Sequence, residues 1–252
     1  MVYYFSATGN NQYVARQIAD YISDEMKSIP ECFDEENFNL QASKDGYVGF
    51  VTPTYAWGLP EIVKSFFSKA SFDRNGSYVF FIATYGTTPG FSGKAAEKML
   101  NARNIHIDAY YDVLMPDNWT PTFDLSDPKK VAETNAKADV EINAIKEEIM
   151  KRKTGNYMKR RLPYFTSIVA LKEYENMRRT DHFVVEDTCI GCGLCEKKCP
   201  DHAIVMSNGK PAWVKKQCIM CLGCLHRCPK FAIQYGERTR NHGQYRHPGT
   251  HI

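Results

Sequence analysis

The sequence predicts an α/β unit with a parallel sheet in its first half and a small metal-binding unit near its C-terminal end. The first half alternates short apolar runs with segments of helical periodicity, which is typical of parallel strands joined by crossover helices. All cysteines except Cys32 lie between Cys189 and Cys228. The 252 residues, 43% of them hydrophobic, are enough for one α/β core and a small appended unit.

Five strands and about four helices are predicted in the first half. The strands are Val2–Phe5, Lys27–Ile29, Tyr47–Val51, Tyr78–Thr84 and Ile105–Met115. Apolar residues at helical spacing follow strand one, Pro60 opens a second helix, and a third helix carries Ala95, Met99 and Leu100. Asp127-Pro128 caps the last and longest helix.

Composition divides the chain into four segments. The α/β unit covers residues 1–152, and a basic segment without clear periodicity, 153–181, is expected to be a partly packed linker. The cysteine-rich unit covers 182–236, and 237–252 is expected to be a tail.

The cysteine-rich unit is an internal repeat. Cys189-Ile-Gly-Cys-Gly-Leu-Cys-Glu-Lys-Lys-Cys-Pro aligns with Cys218-Ile-Met-Cys-Leu-Gly-Cys-Leu-His-Arg-Cys-Pro. Both copies have the C-x2-C-x2-C-x3-C-P form of bacterial ferredoxins, in which the fourth cysteine binds the other of two [4Fe-4S] clusters. A small α+β ferredoxin-like domain with two [4Fe-4S] clusters is therefore predicted.

The spacing also predicts which cysteine binds which cluster. One cluster is expected on Cys189, Cys192, Cys195 and Cys228, and the other on Cys199, Cys218, Cys221 and Cys224. Two zinc sites are the alternative. Zinc commonly takes two separated C-x2-C pairs, so the third cysteine and the terminal Cys-Pro of each repeat favour iron.

A candidate anion site follows strand one, at Ser6-Ala7-Thr8-Gly9-Asn10-Asn11. Hydroxyls and free amide groups at a helix N-terminus favour a phosphate without any cation. For this loop alone, an ordinary polar N-cap is the alternative. Two further loops, 52–60 and 84–90, also follow strand ends, which is where open α/β sheets bind ligands.

Read together, S-x-T-G-N, P-T-Y-x-x-G and T-Y-G in these three loops resemble flavodoxins over residues 1–152. The resemblance implies a doubly wound, five-stranded parallel sheet of order 2-1-3-4-5 that binds FMN. It places the first loop on the FMN phosphate, and Tyr55 or Trp57, with Tyr85, against the isoalloxazine ring. Asn11 stands where long-chain flavodoxins usually have threonine. The FMN-binding residues implied are Ser6, Thr8, Gly9, Asn10, Asn11, Pro53, Thr54, Tyr55, Ala56, Trp57, Gly58, Thr84, Tyr85, Gly86 and Asn118.

With M-P-D-N-W at 115–119 and Y-R-H-P at 245–248, the chain resembles the flavodoxin–ferredoxin fusion family. We therefore expect an electron-transfer protein that relays electrons between two [4Fe-4S] clusters and FMN, to or from a redox partner protein or a small-molecule electron acceptor. One alternative is an FMN-dependent reductase of a small organic substrate, with Tyr55, Tyr85 and Asp117 as candidate acids. Another is a redox sensor whose partner binding follows cluster state.

Charge and hydropathy limit the other partners. A net charge of +3 gives no reason to expect nucleic acid or a membrane surface. No apolar run approaches the roughly 18 residues of a membrane span, and the first residues lack the pattern of a secretory signal, so a cytoplasmic protein is expected.

Several residues carry plainer expectations. Cys32 is expected to be a free thiol in a polar loop, and His202, His226, His242, His247 and His251 to be surface or solvent-exposed imidazoles. Trp119 fits a wall of the flavin site and a core position equally well.

Overall fold

The computed structural model describes residues 1–42, 45–159 and 166–252. Its main sheet contains β1 (Val2–Tyr4), β2 (Met26–Ser28), β3 (Tyr47–Pro53), β4 (Tyr78–Tyr85), β5 (Ala109–Leu114) and β6 (Gly155–Asn156). All neighbouring pairs are parallel, and the order is β2-β1-β3-β4-β5-β6. The predicted α/β class and the order 2-1-3-4-5 are confirmed, and β6 extends the sheet by one strand.

Helices cover both faces of this sheet. They are α1 (Asn10–Tyr21), α2 (Ile29–Asp34), α3 (Glu61–Lys69), α4 (Ser92–Asn101) and α5 (Pro128–Met150). Successive strand residues point to opposite faces, so Phe81 packs with α2, α3 and α4 while Phe80 and Ile82 pack with α1 and α5. Asp127 caps α5, its carboxylate accepting from the backbone N–H groups of Lys129 and Lys130.

The segment predicted as a linker contains regular structure. It contributes β6, paired with β5, and then α6 (Thr166–Met177). Residues 160–165 of that segment lie outside the described residues. The basic composition of this segment favoured a linker, but Lys and Arg side chains are also common on the solvent-exposed face of a helix.

The C-terminal part consists of β7 (Phe183–Val185), α7 (Leu194–Lys197), β8 (Ile204–Ser207), β9 (Lys210–Trp213), α8 (Gly223–Arg227), β10 (Ile233–Tyr235) and α9 (Thr239–His242). β7 pairs antiparallel with β10, and β8 with β9. The β8–β9 turn has Asn208 and Gly209 at φ 48° and 77°, as a two-residue hairpin turn requires.

The segment after α9 packs back onto the first loop of the sheet. The backbone N–H of His247 donates to the carbonyl of Thr8 at 2.8 Å, and the hydroxyl of Tyr245 donates to Asn10 Oδ1 at 2.7 Å. A Cβ on Gly9 would lie 2.2 Å from Thr250 Oγ1, so this loop position has room for glycine alone. Among the described residues, no helix has the length and apolar character that a membrane span needs.

Candidate functional site

The eight cysteines of the repeat line two separate cavities. Cys189, Cys192, Cys195 and Cys228 line the first. Cys199, Cys218, Cys221 and Cys224 line the second. Each cavity is therefore lined by three cysteines of one repeat and the fourth of the other.

The way the thiols are spread bears on which metal fits. No three Cys, His, Asp or Glu side chains of the described residues converge closely enough to hold a single metal ion. In each set the four cysteines surround a cavity, and a cubane takes its four thiolates around its own volume.

Backbone amides face some of the sulfurs. The N–H groups of Ala203 and Ala232 donate to Cys199 Sγ and Cys228 Sγ, both at 3.3 Å, so the two repeats share this contact. Met220 N–H donates to Cys218 Sγ, also at 3.3 Å. Such bonds favour charge on the sulfur and influence cluster potential.

A third cavity, of about 620 Å³, lies at the carboxyl ends of β1, β3, β4 and β5. Its volume is within the range of small-molecule and cofactor sites. The predicted FMN residues that line it are Asn10, Asn11, Pro53, Thr54, Tyr55, Ala56, Trp57, Thr84, Tyr85, Gly86 and Asn118.

Four of the predicted residues, Ser6, Thr8, Gly9 and Gly58, do not line this cavity. Ser6 Oγ accepts from Gly9 N–H at 3.1 Å, and Asn118 Nδ2 donates to Thr8 Oγ1 at 2.6 Å. These residues shape the loop behind the cavity. α1 begins at this loop without a side-chain cap among the described residues, which leaves its N-terminus suited to an anion.

The second loop has an unusual backbone. Tyr55 and Gly58 exchange both backbone hydrogen bonds at 2.9 Å, and Ala56 and Trp57 between them have φ of 43° and 66°. Residues other than glycine adopt this left-handed region at a cost, and such strained residues recur at ligand-binding sites. The turn holds Tyr55 and Trp57 at the cavity wall.

Hydrogen bonds link the loops to one another. Thr84 Oγ1 donates to Asn11 Oδ1 at 2.9 Å, which gives the asparagine at the usual threonine position a defined partner. Thr54 lies beside Thr84 and also lines the cavity, and its Oγ1 is buried without a hydrogen-bond partner among the described residues. An unsatisfied hydroxyl on a residue of the cavity wall is compatible with a polar ligand such as a flavin.

Burial shifts the titration of the polar groups in the cavity. It raises the pKa of Tyr55 and of Tyr85, and it raises the pKa of Asp117 above that of an ordinary aspartate. Lys159 Nζ donates to the Tyr85 hydroxyl at 3.1 Å. Of the three predicted acids, Asp117 is the one carboxyl, and its pKa is raised by burial.

The far wall of the cavity comes from elements that sequence reasoning did not assign to it. α6 contributes Val169, Glu173, Tyr174 and Met177, and the second cysteine run contributes Met220, Cys221 and Leu222. The Tyr174 hydroxyl donates to the carbonyl of Ile219 at 3.1 Å and so ties α6 to that run. Helical spacing of Val169, Tyr174 and Met177 was the available signal in the sequence.

Trp119 lines the same cavity and also packs against the C-terminal core, its ring 5.9 Å from that of Tyr235. It therefore serves both roles that the sequence left open.

Three expectations about single residues were wrong. Cys32 is buried in α2, because Ser28 and Glu31 form a capping box that starts a helix in the polar stretch.

His226 is buried, with Nε2 2.9 Å from the Asn118 carbonyl and Nδ1 accepting from Tyr245 N–H. His247 is buried and stacks on Tyr13 at 4.1 Å between ring centroids. Burial lowers the pKa of both histidines to about 4.

Residues 188–233 match the family described as a 4Fe-4S dicluster domain. The C-terminal unit is a 4Fe-4S dicluster domain. An uncharacterised protein of Methanocaldococcus jannaschii is 34% identical over 56 residues, which is 22% of this chain. The match spans only 21% of that protein's own length.

Solved structures similar to this chain include flavodoxins. A Streptococcus pneumoniae flavodoxin is 14% identical and covers 57% of this chain and 97% of its own, with a TM-score of 0.34. A short-chain flavodoxin associated with a bacterial microcompartment covers 57% of this chain and 95% of its own, at 13% identity and a TM-score of 0.35. The Trp repressor binding protein of Bacillus subtilis covers 62% and 100%, at 14% identity and a TM-score of 0.38.

Strand order assigns the fold of the N-terminal unit, because 2-1-3-4-5 is the flavodoxin-like order of doubly wound sheets. The chain therefore joins a flavodoxin-like unit to a 4Fe-4S dicluster domain, which confirms the predicted fusion. Together the two units indicate a redox protein of the flavin and iron–sulfur type.

Proposed function

We propose that this protein relays electrons between two [4Fe-4S] clusters and an FMN bound in the central cavity, to or from a redox partner. The observation that carries the proposal is the position of Cys221, which lines both the second cysteine cavity and the central cavity. A single chain segment thus separates the proposed flavin from the proposed second cluster. Electron transfer between them needs no movement of either unit.

The proposal assigns a role to each loop that lines the central cavity. In this proposal Asn10 and Asn11 contact the phosphate at the start of α1, with Ser6, Thr8 and Gly9 behind them in the same loop, and Tyr55 or Trp57, with Tyr85, flank the ring. The clusters supply single electrons, and the flavin stores one or two. The proposed flavin unit is 1–152, and the proposed cluster unit is 182–236. Residues 153–181 contain α6, which covers the cavity, and residues 237–252 pack on the phosphate loop.

The test is an anaerobic reductive titration of the full chain loaded with iron, sulfide and FMN. Limiting reductant is added, and cluster and flavin reduction are followed by electron paramagnetic resonance and absorbance. The relay predicts rapid equilibration between both centres. Clusters and flavin that are both present but do not exchange electrons would reject it.

A matched pair of variants tests whether electrons reach the flavin by way of the second cluster. Cys221→Ala removes a proposed ligand of the second cluster and should slow flavin reduction by the clusters at least tenfold. Cys32→Ala, which removes a thiol outside the repeat, should leave that rate unchanged. Binding of FMN and of riboflavin, compared by titration, tests the phosphate loop separately, and FMN should bind more tightly.

A second candidate is an FMN-dependent reductase of a small organic substrate. Asp117 favours it, because this carboxyl lines the cavity and burial raises its pKa toward that of a proton donor. A reductase would turn over one small acceptor rapidly and lose that turnover in Asp117→Asn. Unchanged electron transfer to a protein acceptor in the same variant would support the relay.

A further inference from the structure

The two cysteine runs share a left-handed backbone at two positions where the first run has glycine and the second has larger residues. Gly191 and Gly193 have φ of 64° and 71°, and their counterparts in the second run, Met220 and Leu222, have φ of 56° and 53°. All four positions are left-handed. This conformation suits glycine, whereas a residue with a Cβ is disfavoured there.

Space alone does not explain the difference. A Cβ on Gly191 would lie 2.8 Å from the carbonyl oxygen of Gly209, so the first run needs glycine there, but a Cβ on Gly193 would meet nothing within 4 Å. The first run keeps glycine at a position where a side chain would fit. The second run has side chains at both positions although its backbone favours glycine.

The two cysteine runs differ in how far their residues are exposed to solvent. Ile190 in the first run is 61% exposed, and Cys192 is exposed as well. In the second run, Met220 is 4% exposed and Leu222 is 2% exposed. Met220 and Leu222 line the central cavity and the second cysteine cavity, on either side of Cys221. The strained positions therefore coincide with the partition between the two cavities.

We propose that Met220 and Leu222 are shielding residues that keep water away from the second cluster on the side that faces the flavin. The inference rests on the proposed function for what occupies the two cavities. Water stabilises the reduced cluster, which carries one more negative charge than the oxidised cluster, so excluding water holds the potential of the second cluster low. The first cluster has no such shield on its exposed loop.

The test replaces the shield with the residues of the first run. Met220→Gly and Leu222→Gly should each shift the midpoint potential of the second cluster to more positive values and leave that of the first cluster unchanged. The potentials are measured on the full chain by electron paramagnetic resonance, with and without FMN. Val214→Ala, at an exposed position of the same domain that lines neither cysteine cavity, is the control and should shift neither cluster.

Two further variants separate shielding from simple loss of structure. Leu222→Asn keeps a side chain of similar length on a residue that tolerates the left-handed region, and it should cause a positive shift because it brings a polar group to the partition. Leu222→Ala should unfold at a lower temperature than Leu222→Gly, the reverse of the usual order, because only alanine retains the strained Cβ.

An unchanged potential of the second cluster in Met220→Gly, Leu222→Gly and Leu222→Asn would overturn the shield. The cluster potentials of the flavin-free chain test the shield, and the FMN titration tests flavin binding. Either proposal can therefore be rejected without the other. A chain that binds no flavin but still shows the positive shift would support the shield and reject the relay.

Discussion

The flavodoxin-like unit and the dicluster domain are held together by different forces. The twelve largest fully buried side chains of the described residues all come before residue 106. Phe50, Phe80 and Phe81 are three of them. In the dicluster domain, a smaller apolar cluster surrounds two cavities lined by cysteines. The first unit is stabilised by its own apolar burial, and we expect the second to depend on bound metal as well.

The comparison also shows how the units are joined. Apolar packing and specific hydrogen bonds both contribute: Trp119 packs on the C-terminal core, the His226 ring bonds the Asn118 carbonyl, and Arg227 donates to the Ser6 carbonyl at 3.3 Å. The Tyr245 hydroxyl donates to Asn10. The residues after α9 add the backbone bond from His247 to Thr8. Such a junction fixes orientation, which a relay between two centres requires.

Loss of the clusters is the strongest way to test the contrast. Anaerobic treatment with an oxidant and a chelator should unfold the dicluster domain entirely and leave the parallel sheet folded, because thiolate–metal bonds supply several kcal/mol or more. Circular dichroism and limited proteolysis measure this, with cleavage expected after residue 181. The contrast is wrong if the chelated protein keeps protease resistance in both units.

A core truncation should have the opposite distribution. Phe81→Ala removes a fully buried ring from β4 and should cost about 3–5 kcal/mol in the free energy of unfolding of the sheet. Ile190→Ala, at an exposed position in the dicluster domain, should cost less than about 0.5 kcal/mol. Denaturant titration followed by circular dichroism gives both values, and iron content should be normal in each variant.

The junction should weaken in acid because of His247. Its pKa is about 4 in the folded protein and about 6.5 when unfolded, so the unfolded chain takes up its proton first as the pH falls. The stability that neutral His247 confers is complete above pH 6.5 and decreases toward pH 4, by about 2 kcal/mol at pH 5. His247→Gln should remove this part of the dependence in denaturant titrations at pH 7 and pH 5. An identical pH dependence in both proteins would contradict it.

The smallest effect concerns a single helix of the sheet unit. Asp127→Ala removes the N-cap of α5 and should cost about 1 kcal/mol, whereas Asp127→Asn should retain most of the capping energy. Thermal unfolding of the sheet unit measures the difference. Cluster content and potentials should not change, and a change in either would show that the two units are coupled more strongly than their contacts imply.

Much of the fold followed from local patterns. Apolar periodicity located the strands of the parallel sheet, and Asp127-Pro128 marked the start of α5, because both signals depend only on neighbouring residues. The pairing of four cysteines per cavity followed from the repeat. The signals failed for His226 and His247, whose burial depends on distant partners such as Asn118 and Tyr13. For Cys32 a local signal was present, because Ser28 and Glu31 form the capping box that starts its helix.

The sequence by itself determined the α/β class, the strand order implied by its flavodoxin-like loops, and the two cysteine sets. These are carried by short motifs whose spacing limits the geometry. Only the tertiary structure decided that α6 and the second cysteine run close the central cavity, that the residues after α9 pack on the first loop, and that Cys221 lies between two cavities. Each of these depends on how the two units pack against one another, and such long-range packing leaves no periodic mark in the sequence.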